Sequence, residues 1–270
     1  MTLAGLIART ERMFRAARLH YGHGTRNARD EAAWLVLRSL GLPFDAPLEH
    51  EVDALGQRRV ERLARRRIAE RLPLAYLLKE AWIAGHAFYV DRRVIVPRSH
   101  IAFLFRKLKV KPKRILDACT GSGCLAILAA RAFRKASVVA TDISADALAV
   151  AARNVRQHRL QKRVKLVRAD LFAGRNYDLI VANPPYVPSG TMRKLPPEYR
   201  WEPGLALAAG SDGLDLVRRI ISLAPRFLTP NGVLVCEVGE GKRAVERAYP
   251  RLPFVWPVPE VFVLERGEMG

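Results

Sequence analysis

Acidic residues are scarce in this chain, cysteines are scarcer, and long apolar runs are absent. Only three cysteines, Cys119, Cys124 and Cys236, stand among 270 residues. Their odd number and lack of metal-ligand spacing argue against a disulfide framework or a zinc ribbon and leave reduced, packing thiols; no metal site is expected. The longest nearly apolar stretch, Ala118 to Ala130, is broken by glycines and polar residues and falls short of the roughly 20 residues a membrane span requires. The first residues mix charge among apolar side chains, where a secretory signal would keep a basic and an apolar segment apart, so the expected location is cytoplasmic. No internal repeat, low-complexity segment or G-x-x-x-x-G-K-[ST] phosphate loop occurs.

What is present is basic charge. Lys and Arg number 46 against 26 Asp and Glu, a net charge of +20, with a pI near 10.7. Such a charge steers a protein toward anionic surfaces, nucleic acid among them, without specifying a partner. Many arginines fall in helical patterns, where a solvated Arg-rich face is the plain alternative to contact with RNA. The Arg65-Arg66-Arg67 run, with Ala64, Ile68 and Leu72 spaced four apart, reads as one side of an amphipathic helix. Half the residues are hydrophobic, enough for a sizeable core.

The length predicts a full-sized domain with a smaller companion. Up to about residue 71, helical patterns alternate with short breaks, the first at Gly22-His23-Gly24-Thr25. Thr25 or Asn27 is placed to cap a helix whose core face is Ala32, Ala33, Leu35, Val36, Leu37 and Leu40. A hairpin is expected from Trp82-Ile83, Phe88-Tyr89-Val90 and, beyond the polar turn Asp91-Arg92-Arg93, Val94-Ile95-Val96. The boundaries drawn are 1–79 for a helical domain, 80–97 for a linking hairpin and 98–270 for the larger domain. From Lys113 onward, strand-like runs alternate with helical ones: Ile115–Asp117, Ser137–Asp142, Val164–Val167, Tyr177–Val181 and Gly232–Cys236. This predicts an α/β, Rossmann-like fold with a mostly parallel sheet and helices on both faces.

The first of those strands ends in Asp117-Ala118-Cys119-Thr120-Gly121-Ser122-Gly123, directly before an apolar helix. Glycines at 121 and 123 would let the backbone pass close to a ligand; a purely structural turn gives the same pattern. Asp142 ends the second strand about twenty residues on, where a carboxylate accepts both hydroxyls of a ribose; capping the helix at Ser144-Ala-Asp-Ala is its alternative role. Asp170-Leu171 follows the third strand, where an adenine edge would lie. The fourth strand runs into Asn183-Pro184-Pro185-Tyr186, whose prolines fix the backbone and remove two N–H donors. Carbonyls and the Asn183 side chain are then held as rigid acceptors for a planar amine or amide.

An Asn-Pro-Pro-Tyr motif after a glycine-rich first loop resembles the amino- and amide-methyltransferases that use S-adenosylmethionine, acting on adenine N(6) or glutamine N(5). Tyr76 to Trp82, Phe88 to Ser99 and Glu198 to Leu207 resemble the bacterial glutamine methyltransferases over almost the whole chain. Gly22-His23-Gly24-Thr25 with Asn27, and Pro97-Arg98-Ser99, are similar to the branch that modifies the third large-subunit ribosomal protein. His100, where that branch usually has proline, and the short ending Phe254 to Val263 depart from it. The resemblance implies S-adenosylmethionine as cofactor, held by Asp117, Thr120, Gly121, Gly123, Asp142, Asp170, Leu171 and Asn183. It implies a substrate site of Asn183, Pro184, Pro185 and Tyr186, with Asn183, Pro184 and Tyr186 catalytic, and a helical region that recognises a ribosomal-protein partner.

Three other functions share parts of this pattern: glutamine methylation of a release factor, adenine N(6) methylation of nucleic acid, and a non-enzymatic rRNA-binding assembly factor. No base-reading domain is visible, and the intact Asn183 motif and Asp142 favour an enzyme. His23 and His86, in glycine-flanked turns, read as structural hydrogen-bonding residues, and Arg98 as a salt bridge.

Overall fold

A computed structural model of the chain describes residues 1–269. Four helices come first: α1 (Leu3–Ala16), α2 (Ala28–Ser39), α3 (Ala54–Glu70) and the short α4 (Leu74–Leu78). Side-chain oxygens satisfy the free N–H groups at three of their starts, Thr2 for α1, Asn27 for α2 and Asp53 for α3. Of the two candidate caps before α2, Asn27 takes the role, while the Thr25 hydroxyl donates to Glu31 at 2.9 Å. Leu3, Leu6, Ile7, Thr10 and Phe14 bury one stripe of α1, and the helices share a core with Ala147 and Val150 of the larger layer.

Strands β1 (Ala81–Ile83) and β2 (His86–Phe88) form an antiparallel hairpin. Its turn lies at Ala84-Gly85, both left-handed (φ 49° and 77°), the geometry that matches strand twist in a two-residue turn. The expected turn at Asp91-Arg92-Arg93 is not part of the hairpin. The Asp91 carboxylate there accepts from the Arg93 backbone and guanidinium and from the Tyr89 hydroxyl, and Val94-Ile95-Val96 beyond it joins no sheet.

The remainder is built from β3 (Arg114–Ala118), α5 (Cys124–Ala132), β4 (Ser137–Asp142), α6 (Ala145–Gln157), β5 (Val164–Arg168), β6 (Tyr177–Ala182), α7 (Ser189–Met192), α8 (Asp215–Leu223), β7 (Leu228–Glu237), α9 (Lys242–Ala248), β8 (Val255–Val258) and β9 (Val261–Glu265). The sheet order is β5-β4-β3-β6-β7-β9-β8. The first five of these pair in parallel, and β9 and β8 close the edge antiparallel, so the mostly parallel Rossmann-like sheet expected from the alternating runs is the one observed. Strand residues alternate between two cores, as period-two geometry requires. Ile115, Leu179, Val181 and Val235 pack with α5, and Leu116, Ile180, Leu234 and Cys236 with α8 and α9. Between β8 and β9 the two residues Pro259-Glu260 suffice as a turn, and the Glu260 carbonyl accepts the Val238 N–H at 2.8 Å. No helix among the described residues is long and apolar enough to cross a membrane.

Candidate active site

Parallel strands leave their carboxyl ends on one side of a sheet, and the crevice outside those ends is where ligands of such folds bind. Two adjoining cavities occupy that side. The first, about 280 Å³, is walled in part by Gly121, Asp142, Asp170, Leu171, Asn183 and Pro185. The second, about 600 Å³, is walled in part by Asn183, Pro184, Tyr186, Arg98 and Tyr199. Ile95, Asn183 and Ala206 belong to both, so Asn183 brings the only polar side chain to the shared wall. Its Oδ1 is buried and accepts no hydrogen bond. An unpaired buried acceptor is costly, and here it stands where a bound N–H donor would satisfy it.

Around the first cavity, the Asp142 carboxylate accepts the Gly121 N–H at Oδ2 and the Ser144 N–H at Oδ1, both at 2.9 Å. The helix-capping alternative falls to Ser144, whose hydroxyl accepts the Ala147 N–H at the start of α6. Each Asp142 oxygen retains acceptor capacity toward the cavity, which is what a pair of vicinal hydroxyls needs. Leu171 is buried in a left-handed conformation (φ 69°), its carbonyl receiving the Thr141 hydroxyl. Asp170 is exposed and pairs with Arg219 of α8 at 2.7 Å; both line the cavity. Arg219 carried no distinguishing mark in the sequence, because an arginine on an amphipathic helix reads as solvated.

Three residues expected to hold the cofactor, Asp117, Thr120 and Gly123, are not on the cavity wall. Asp117 lies fully buried beneath the loop, where its Oδ2 accepts the Thr120 hydroxyl (2.5 Å) and the Ala126 N–H (2.9 Å). A Cβ at Gly123 would meet Ala151 Cβ at 3.1 Å, and its φ is +80°, so this glycine serves close packing of the loop on α6. Gly121, by contrast, faces the cavity with open space above it. Burial lifts the Asp117 carboxyl from its ordinary 3.8 to about 7, against the lowering by Thr120 and Ala126, and its Oδ1 has no partner. A carboxyl raised in the folded state binds more protons there than in the unfolded chain between about pH 4 and 7, so stability falls as pH rises through that window. Asp117→Asn is expected to flatten the decline in Tm between pH 5 and 7.5. An unchanged decline in the variant would mean that the buried carboxyl is not its source.

In the second cavity the Asn183 motif divides. Pro184 and Tyr186 face it, while Pro185, expected to contact substrate, faces the first cavity, as neighbouring residues of a stretched backbone point opposite ways. Burial pushes the Tyr186 phenol well above its ordinary range, so it stays neutral. Two glycines hold it that the sequence left unremarked. A Cβ at Gly239 would lie 2.6 Å from the Tyr186 ring, and one at Gly213 would lie 2.4 Å from its carbonyl oxygen. Both have positive φ, the conformation that G-x-G and D-G dipeptides signal.

Arg98 forms the expected salt bridge, a bidentate pair with buried Glu202 at 2.6 and 2.7 Å. That pairing holds the Glu202 carboxyl near 2 despite its burial. His23 is buried against the Tyr199 ring at 4.6 Å with both ring nitrogens unbonded, so the structural hydrogen bond read for it does not form. Glu237, at the end of β7, accepts the Ser99 hydroxyl (2.5 Å) and the His100 N–H (3.0 Å). The departure at His100 is therefore used through its backbone, since proline has no N–H to give.

Residues 100–194 match the family described as Methyltransferase small domain. The chain is 51% identical over 268 residues to the ribosomal protein uL3 glutamine methyltransferase of Bordetella pertussis, covering 94% of this chain and 90% of that protein. It is 48% identical to the protein of that name from Burkholderia pseudomallei, again over 94% and 90%. Among solved structures, a methyltransferase from Pyrococcus furiosus superimposes with a TM-score of 0.51 at 16% identity, over 74% of this chain and 98% of that one, which speaks for the fold. On half-identity over nearly its full length, with Asn183 joining the two cavities, the chain belongs to the family of ribosomal protein uL3 glutamine methyltransferases.

Proposed function

We propose that this cytoplasmic enzyme transfers a methyl group from S-adenosylmethionine to the side-chain amide nitrogen of a glutamine in ribosomal protein uL3. The observation that carries the proposal is the unpartnered Asn183 Oδ1 on the wall common to both cavities. S-adenosylmethionine, when bound, supplies an electrophilic methyl on sulfur. The first cavity would hold it, with Asp142 accepting the ribose hydroxyls, Asp170 and Leu171 at the adenine and Gly121 along its edge. Asp117, Thr120 and Gly123 support that wall from beneath.

An amide nitrogen is a poor nucleophile because its lone pair is delocalised. Asn183 Oδ1 and the Pro184 carbonyl would accept the two amide hydrogens, aligning the nitrogen and favouring its pyramidal form. Tyr186, held by Gly213 and Gly239, packs beside the amide. Methylation makes the nitrogen strongly acidic, so its proton passes to solvent without a dedicated base, and no histidine lines the second cavity. Glu240 and Glu260 line it as well, carboxylates suited to cationic groups flanking the glutamine. Residues 1–79 would recognise the substrate protein, and 80–97 would connect them to the catalytic region 98–270.

Labelled methyl transfer to purified uL3 and to a class-one release factor, followed by peptide mass mapping, tests this. Label on one glutamine of uL3 alone is expected. Label on the release factor alone would move the enzyme to that substrate, and label on neither would overturn the proposal.

A further inference from the structure

Basic charge is not spread evenly over this molecule. Residues 92–169 contain 19 Lys and Arg but only three acids, Asp117, Asp142 and Asp146. Those three acids all lie at or just beyond the carboxyl ends of β3 and β4, on the cavity side. The three segments that lead into β3, β4 and β5 carry no acid themselves; Asp178, at the start of neighbouring β6, reaches them with its carboxylate accepting the Lys113 and Arg114 backbone N–H groups at 2.7 and 3.0 Å. Arg106, Lys107, Lys109, Lys111 and Lys113 precede β3, Arg131, Arg134 and Lys135 precede β4, and Arg159, Lys162 and Arg163 precede β5.

These three segments are one surface, because their strands are neighbours in the order β5-β4-β3, about 4.8 Å apart. The backbone stitches them together: the Ser137 N–H donates to the Lys113 carbonyl (2.9 Å) and the Val138 N–H to the Arg163 carbonyl (2.8 Å). The Arg163 guanidinium donates to the Phe133 and Ala136 carbonyls at 2.7 Å. The other basic side chains here are exposed, Arg131 contacts only the His158 ring, and the ion pairs of the described residues lie elsewhere. The Arg-rich helix α3 differs, since Arg65 and Arg66 are tied to Glu61 and Glu70 along their own helix.

At the side of this surface a cavity of about 470 Å³ is lined by His86, Phe103, Phe105, Arg106 and Arg131. Phe103 is 59% exposed, and burial together with the nearby guanidinium groups of Arg131 and Arg106 holds the His86 imidazole below its ordinary range. An exposed ring beside two guanidinium groups is a stacking platform for an unpaired base next to cations for its phosphates. A lipid surface would use the charge but not a cavity of this kind.

We infer that the amino ends of β3, β4 and β5 form a docking surface for structured RNA, with phosphates on the three basic segments and an unpaired base in the Phe103 cavity. A strand of five residues separates this surface from the catalytic side by roughly 16 Å, so RNA and substrate protein bind at once. The inference does not depend on which glutamine is methylated. It gives the enzyme a way to stay on an RNA while modifying a protein associated with it.

The test measures binding of a fluorescent RNA hairpin with an unpaired loop, at 50 to 200 mM salt, by the full chain and by Lys107→Glu/Lys109→Glu/Lys135→Glu/Lys162→Glu. All four positions are exposed, so folding is preserved. The variant is expected to bind about a hundredfold more weakly, with the slope of log K against log salt lower by about four, near one per phosphate contact. Phe103→Ala is expected to weaken hairpin binding about fivefold or more while leaving a blunt duplex unaffected. Methyl transfer to free protein substrate should be unchanged in the charge variant. Equal hairpin binding by variant and parent, tighter binding to anionic phosphatidylserine vesicles than to RNA, or loss of transfer to free substrate would each overturn the inference. Failure of the parent to methylate any protein would strike the proposed activity and leave the RNA surface standing.

Discussion

Replacing Asn183 by alanine is expected to lower kcat by about a hundredfold to a thousandfold while Kd for S-adenosylmethionine stays within about threefold. Magnitude and selectivity both follow from where the side chain stands. Its Oδ1 is buried with no partner, on the wall shared by the two cavities. The folded protein has therefore already met the cost of desolvating this acceptor, and the return comes only when a donor arrives. That donor is the substrate amide, whose N–H groups become more acidic as the C–N methyl bond forms, so the interaction strengthens toward the transition state. Alanine removes the acceptor, and with it an interaction worth more in the transition state than in the ground state. The nucleoside contacts assigned to Asp142 and Asp170 stay in place, which is why cofactor affinity should hold.

Isothermal titration with S-adenosylmethionine and single-turnover methyl transfer separate the two effects. A variant with near-normal turnover would remove Asn183 from the chemistry. A parallel loss of cofactor binding would make it a wall of the first cavity only.

What could be read in the sequence was local. Each parallel strand is a run of β-branched and apolar residues between turn residues, so β3 to β7 were visible, and their order of appearance dictated a doubly wound sheet. The Asn183 motif and Asp142 were visible because proline and a strand-end carboxylate have few other reasons to be there. The depth of side chains below the cavity floor was not visible. Asp117, Thr120 and Gly123 share the glycine-rich loop with Gly121, yet of these four only Gly121 reaches the wall, since Asp117 and Thr120 bond to each other beneath the loop and Gly123 packs on Ala151. The hairpin was mis-turned for a related reason. Asp91-Arg92-Arg93 has a turn's composition, but its carboxylate is consumed by Arg93 and Tyr89, and the left-handed pair Ala84-Gly85 carries the reversal. Least visible were partners distant in sequence, and Arg67 is the extreme case.

Arg67, read as part of a basic run on an amphipathic helix, is one of the most deeply buried side chains of the molecule. Its Nε donates to Glu31 at 2.7 Å, its Nη2 to the His20 carbonyl at 3.0 Å, and its Nη1 approaches Glu198 at 3.5 Å. Glu31 and Glu198 are buried as well, and Glu198 also accepts the His20 N–H at 3.0 Å. One guanidinium thus joins two helices of the amino-terminal region to the segment whose Tyr199 walls the second cavity.

Arg67→Ala is expected to destabilise the fold by about 3 kcal/mol, the low end of the loss when one partner of a buried ion pair is removed, because Thr25 and the His20 N–H still serve the carboxylates. For a chain of this size that lowers Tm by roughly 6–12 °C. Arg67→Met should cost nearly as much, since it restores volume but leaves buried Glu31 without a cation and Glu198 with only Arg71, 3.6 Å away. The combination Arg67→Met/Glu31→Gln/Glu198→Gln should recover most of the loss, because neutral amides need no counter-charge. With the tie released, Tyr199 is no longer fixed against His23, and KM for the protein substrate should rise well before kcat falls. Thermal melts of the three variants, read beside substrate titrations at fixed cofactor, decide it. A Tm within about 2 °C of the parent for Arg67→Ala would show that solvent reaches Glu31 and Glu198 when the arginine leaves, and that the helical region and the catalytic segment are held together by their apolar contacts instead.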